Sequence, residues 1–185
     1  MATLGPDQDG PSLPTDVVVT ADGRVFVVEG AKQRVVVYDA AGRRTGQLGT
    51  GDGEAAALKD PVGIGAGPDG TLYIADRGNQ RIAIFSDNGR FKTALAVHVD
   101  GQPTSPVDVA VGRDGRLYIT CSNHRVMVMD PSGGVRASWG GRGTGDGEFQ
   151  YPATVAIDQD GSVFVVDVIN ARIQKFDSEG RFLLA

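Results

Sequence analysis

Residues 61–85 read PVGIGAGPDGTLYIADRGNQRIAIF, and they decide the fold because the chain repeats their pattern four times. Aligning on Pro14, Pro61, Pro106 and Pro152 gives spacings of 47, 45 and 46 residues. Nine residues after each proline stands a glycine (Gly23, Gly70, Gly115, Gly161), preceded each time by aspartate (Asp22, Asp69, Asp114, Asp160). Twelve after it stands an aromatic: Phe26, Tyr73, Tyr118 or Phe164. Twenty after it stands Arg34, Arg81 or Arg172, and Arg125 joins the column once one deletion is allowed.

Each repeat reads as four short strands. The first (DVVV, GIGA, DVAV, TVAI) alternates large residues with small or polar ones, the period of a strand. The Asp-Gly pair then predicts a type I′ hairpin turn. The second strand (VFVV, LYIA, LYIT, VFVV) is apolar on both sides, which predicts burial between two layers. The third follows the arginine, and a turn ending at Gly42, Gly89, Gly133 or Gly180 leads to a weaker fourth. Four antiparallel strands in each of four copies, without helical periodicity, predict an all-β chain of β-propeller blades. The expected divisions are a lead-in at 1–13 and blades at 14–60, 61–105, 106–151 and 152–185. The last blade lacks most of its outer strand.

The repeating unit, with its Asp-x-x-Asn-x-Arg turn and a GTGDGEF linker, resembles the NHL repeat of TRIM-NHL ubiquitin ligases, many bacterial proteins and peptidyl-hydroxyglycine lyase. Repeats two and four match it closely. Repeat one has Glu29 and Lys32 where Asp and Asn are usual, and repeat three has Cys121 and a shortened SNHR turn. The resemblance implies a propeller that usually has six blades, and four are present. The first and last blade faces are therefore expected either to meet in a small ring, to belong to a longer propeller, or to be covered by another copy of the chain.

Composition fits many tight turns: 27 of 185 residues are glycine and nine are proline. A net charge of −5, with basic residues scattered, disfavours nucleic acid and anionic membranes. The opening MATLGPDQDG shows no signal peptide, no run is long and apolar enough for a membrane span, and the compartment stays open. The cytoplasm is the default unless the chain is part of an exported protein. One cysteine allows no intrachain disulfide.

The cluster Asp76, Asn79, Arg81 recurs as Asp167, Asn170, Arg172. Recurrence favours a structural loop lock over an active site, since a carboxylate and a guanidinium can tie a loop by paired hydrogen bonds. The GTGDGE segments at Gly49–Glu54 and Gly143–Glu148 read as linkers, because a phosphate-cradling loop needs a following helix. The runs at Asp52–Glu54 and Asp158–Gly161 are too short for an EF-hand calcium loop. His98 and His124 have no partners at metal spacing, and His124 is expected at the surface. Cys121 reads as a plain thiol. Neither cofactor nor metal is expected. Asp16 and Asp108, two residues after their prolines, are expected at the mouth of the central channel, as caps of loop amides or as ligands of a cation or basic group.

Strands carry packing, so specificity is expected in the loops that differ between blades. The loops joining strands two and three supply Lys32, Gln33, Arg77, Gln80, His124, Val168 and Ile169. The linkers supply Lys59, Asp60, Gln102, Thr104, Gln150 and Tyr151. The leading expectation is a non-catalytic platform for a protein or peptide, centred on Lys32, Arg77, Gln80, His124, Tyr151, Val168 and Ile169. One alternative is a metal-dependent lyase or lactonase of the kind seen on related propellers. The other is RNA binding, for which the same face offers only Lys32, Lys59 and Arg77.

Overall fold

A computed structural model describes residues 13–50 and 53–185. The lead-in up to residue 12, and Gly51 and Asp52 of the first linker, lie outside them. Four antiparallel sheets follow one another along the chain, each a meander of four strands in sequence order. Blade 1 holds β1 (Pro14–Val19), β2 (Val25–Glu29), β3 (Arg34–Tyr38) and β4 (Arg44–Leu48). Blade 2 holds β5 (Pro61–Ala66), β6 (Leu72–Asp76), β7 (Arg81–Phe85) and β8 (Phe91–Ala96). A small ribbon, β9 (His98–Val99) with β10 (Gln102–Pro103), leads to blade 3. That blade is β11 (Pro106–Val111), β12 (Leu117–Cys121), β13 (Arg125–Met129) and β14 (Val135–Gly140). Blade 4 is β15 (Pro152–Ile157), β16 (Val163–Asp167), β17 (Arg172–Phe176) and a three-residue β18 (Phe182–Leu184). The only helical elements among the described residues are two single 3-10 turns, Gly30–Lys32 and Arg77–Asn79.

The Asp-Gly hairpins differ from the expected type I′ turn. The glycines are left-handed, with φ of 78° to 82°, but their aspartates are not. Gly70 N–H donates to the Gly67 carbonyl at 2.9 Å and Gly67 N–H to that of Thr71 at 2.8 Å, a type I turn closed by a left-handed glycine. Aspartate prefers this geometry because its carboxylate can accept from the residue two positions on. Asp69 accepts from both the amide and the hydroxyl of Thr71, at 3.0 and 2.8 Å.

Among the described residues three apolar clusters make up the core, one between each pair of neighbouring blades. Blades 1 and 2 enclose Phe26, Val28, Leu72 and Phe85. Blades 2 and 3 enclose Tyr73, Ile82, Ile119 and Met127, and blades 3 and 4 enclose Tyr118, Phe149, Val165 and Phe176. At the hub the inner strands nearly touch. A Cβ on Gly65 would lie 2.7 Å from the Val109 carbonyl oxygen, and one on Gly63 would lie 2.8 Å from the Asp108 Cα. Adjacent inner strands β1, β5, β11 and β15 pack in succession, but no comparable contact joins β15 back to β1. The expectation of second strands buried on both faces therefore holds for β6 and β12 alone. In β2 and β16, at the ends of the arc, buried residues alternate with half-buried ones because no blade covers the outer side.

Candidate interaction face

The turns between second and third strands and the linkers into each inner strand lie side by side. Gly78 N–H donates to the Lys59 carbonyl at 2.9 Å, Ser122 N–H to Ser105 at 2.9 Å, and Val168 N–H to Tyr151 at 3.0 Å. Each turn ends in a residue with left-handed φ that is not glycine: Gln33, Gln80, His124 and Ala171.

Asp76 is fully buried and organises the turn of blade 2. One carboxylate oxygen accepts from Lys59 N–H at 2.7 Å; the other accepts from Asn79 Nδ2 at 2.8 Å and Arg81 Nε at 2.6 Å. Asn79 and Arg81 then reach the Ala57 carbonyl of the linker. Blade 4 repeats this. Asp167 accepts from Gln150 and Tyr151 N–H, Asn170 Nδ2 and Arg172 Nε, while Asn170 holds the Gly143 carbonyl and Arg172 those of Gly145 and Glu148. Burial pushes Asp167 up, but the Asn170 amide, the two backbone N–H groups and Arg172 outweigh it and hold the carboxyl below its ordinary range. In blade 1 Glu29 substitutes, paired with Arg34 at 2.7 Å with both side chains nearly buried. Blade 3 has no such carboxylate, and Arg125 turns to the Gly140 carbonyl and Asp100.

The recognition candidates are spread over this face. Arg77 binds Asp60 at 2.7 Å and also meets Tyr151, and these partners raise its pKa, Asp60 most. Val168 and Ile169 are 52% and 63% exposed, while Tyr151 beside them is half-buried. Gln80 is exposed and Lys32 half-buried on the corresponding turns of blades 2 and 1. His124 departs from the expected surface histidine. In the shortened turn of blade 3 it is half-buried, and its Nδ1 is enclosed without a hydrogen-bond partner.

Asp16 and Asp108 do not cap loops. A β-bulge after Pro14 and another after Pro106 turn these side chains sideways, onto the inner strand of the next blade. Asp16 accepts from Val17 N–H at 2.8 Å and Ile64 N–H at 2.7 Å; Asp108 accepts from Val109 and Val155 N–H at 2.8 and 2.9 Å. Burial raises both pKa values despite these amides, and the neighbouring Asp16 charge also pushes Asp108 upward, to about 7. The native state therefore holds this proton more tightly than the unfolded chain. The associated stability is complete below about pH 4 and is lost as pH rises through 7. Urea midpoints are expected to fall between pH 5 and pH 8 by the equivalent of ~2–4 kcal/mol. Asp108→Asn is expected to flatten that slope; an equally steep slope in the variant would assign the effect elsewhere.

Among the described residues no three His, Cys, Asp or Glu side chains converge as a metal cage, and no helix is long and apolar enough to cross a membrane. The meanders, the hub and the turn-and-linker face define the class: an arc of β-propeller blades of NHL type. Residues 17–182 match the SMP-30/Gluconolactonase/LRE-like region, and the chain belongs to that family. It is 27% identical over 157 residues to Protein brain tumor of Drosophila melanogaster, covering 82% of this chain and 14% of that protein. It is 36% identical over 101 residues to Teneurin-3 of Mus musculus, covering 55% of this chain and 3% of that one. Among solved structures, virginiamycin B lyase from Staphylococcus aureus superposes with a TM-score of 0.72 at 18% identity, over 96% of this chain and 56% of its own. Kuenenia stuttgartiensis hydrazine synthase gives 0.70 at 19% identity, over 97% and 51%. The chain thus spans a small fraction of these curated relatives and about half of the solved propellers. The family description names a gluconolactonase and one neighbour is a lyase, so propellers of this build include enzymes.

Proposed function

We propose that this chain is a non-catalytic binding module that takes a protein or peptide partner on the turn-and-linker face. The observation that carries the reading is the pair Val168 and Ile169, both more than half exposed at the tip of a turn whose base is fixed by Asp167. Exposed aliphatics with an aromatic and an arginine alongside, here Tyr151 and Arg77, form the composition of an interface centre. The turn is held rigid before any partner arrives, so little ordering entropy opposes binding. Protein brain tumor, similar over most of the chain, supports a module inside a larger protein.

Selecting a displayed peptide library against the chain tests this. Enriched peptides are expected to bind Val168→Asp/Ile169→Asp at least about tenfold more weakly, since each aspartate would be desolvated against an apolar partner. Undiminished binding by that variant, or no enrichment, would overturn the reading.

A further inference from the structure

The four repeats are not equivalent; they alternate. Two residues after the repeat proline stand Asp16, Gly63, Asp108 and Thr154; ten after it stand Arg24, Thr71, Arg116 and Ser162. GTGDGE follows blades 1 and 3, whereas Asp-x-x-Asn-x-Arg and a Gly-Arg-Phe turn (89–91 and 180–182) occur in blades 2 and 4. The chain is a tandem of two-blade units. Contacts follow the same alternation. From blade 1 to 2 and from blade 3 to 4, an aspartate holds the next inner strand (Asp16 to Ile64, Asp108 to Val155). At both junctions an arginine also reaches the neighbour's outer turn, Arg24 to Asp87 and Arg116 to Glu179. The junction between blades 2 and 3 is of a second kind: glycine backbone at the hub, with the Asp108 side chain against Gly63, then a layer of apolar side chains.

Over their exposed parts, the two end faces carry the apolar positions of that second kind. Blade 1 leaves open Val17, Val19, Val25 and Val27, which hold the repeat positions of Val109, Val111, Leu117 and Ile119 of blade 3. Blade 4 leaves open Phe164, Val166 and Ile173, which hold the positions of Tyr73, Ala75 and Ile82 of blade 2. In the 2–3 junction Val109, Leu117, Ile119, Tyr73, Ala75 and Ile82 are all buried; on the free faces Val17, Val19 and Ile173 are 54%, 62% and 55% exposed. Three details depart from the template. At the hub Thr154 and Ala156 stand where Gly63 and Gly65 do, so the inner strands cannot approach as closely there. Lys175 stands where Ile84 does, its ammonium lying over the Phe164 ring, and the rim half of blade 1's face, Val36 and Tyr38, is already buried.

We propose that a second copy of this chain covers the exposed parts of both faces, blade 4 of each copy docking on blade 1 of the other through an apolar contact like that between blades 2 and 3 but wider at the hub, to close a two-fold ring of eight blades. The strands that would meet carry the apolar positions that already pack together between blades 2 and 3. A two-fold pairing satisfies both faces with two identical contacts and leaves none over.

Light scattering on the eluting 185-residue chain tests the ring. The expected mass is about 39 kDa, twice 19.3 kDa. Val17→Asp/Val19→Asp and Val166→Asp/Ile173→Asp are each expected to weaken association by about 100-fold or more while leaving the circular dichroism spectrum intact, because the altered side chains face outward in one copy. A monomer at all concentrations, open multimers beyond two, or either variant still dimerising like the parent would overturn the proposal. The last result is what pairing through one face alone would give. Val168→Asp/Ile169→Asp, on the other face, is expected to leave the dimer unchanged, which separates this outcome from that of peptide binding.

Discussion

Replacing Asp76 by alanine is expected to lower stability by about 3–5 kcal/mol, read as a shift of the urea midpoint at unchanged slope. Three donors converge on this carboxylate: the Lys59 amide, Asn79 and the Arg81 guanidinium. The carboxylate itself is shut off from water, Asp76 being fully buried, while the Arg81 side chain is 18% exposed. Truncation would take away the buried acceptor that those donors share, and donors left without a partner around a buried site are costly to a fold. Blade 1 supplies a natural control, since Glu29 holds Arg34 with one extra methylene. Asp76→Glu is thus expected to lose less than half as much. Equal losses in both variants would show that the shape of the pocket, and not its charge, matters.

Phe176→Ala is expected to cost a similar ~3–5 kcal/mol, with its effect concentrated in blade 4. The ring is wholly buried and lies 5.5, 5.7 and 6.0 Å from those of Trp139, Phe149 and Phe182. Removing it leaves a hole among aromatics that cannot easily collapse. Within one copy, blade 4 packs on a neighbour along one face only, so it is the sheet most readily released when that packing weakens. Limited proteolysis is expected to cut the variant first beyond residue 152, with the remainder persisting. Uniform cleavage across all blades would mean that the arc unfolds as a single unit.

Much of this architecture was legible in the letters. Pro61, Gly70, Tyr73 and Arg81 mark the proline, turn, aromatic and arginine columns of one sheet, and their recurrence is a geometric repeat. The type of hairpin was not legible, because Asp-Gly suits two turns and the choice depends on where the aspartate carboxylate finds an amide. Nor was the role of Asp16 and Asp108. Spacing placed them beside the channel, but only the bulge after each proline turns them toward the neighbouring strand. The alternation of blades was present in the columns holding Asp16, Gly63, Asp108 and Thr154. Aligning all four copies to find what they share hides what only alternate copies share. The exposure of Val168 and Ile169 was foreseeable because turn tips carry no packing duty. The enclosure of the His124 Nδ1 was not, since a place in a loop between strands suggests exposure.

The bare backbone at positions 63 and 65 bears on more than packing. Sheets arranged about an axis behave as wedges, thin at the centre and thick at the circumference, and their taper fixes how many complete a circle. Aromatic bulk such as Phe85 and Phe91 thickens the periphery, while Gly63 and Gly65 let the centre draw tight. Adding side-chain volume at the centre without adding it outside would flatten the taper, and the circle would then need more sheets to close. Curvature in this protein is accordingly a ratio of volumes at two radii, open to adjustment by a few substitutions.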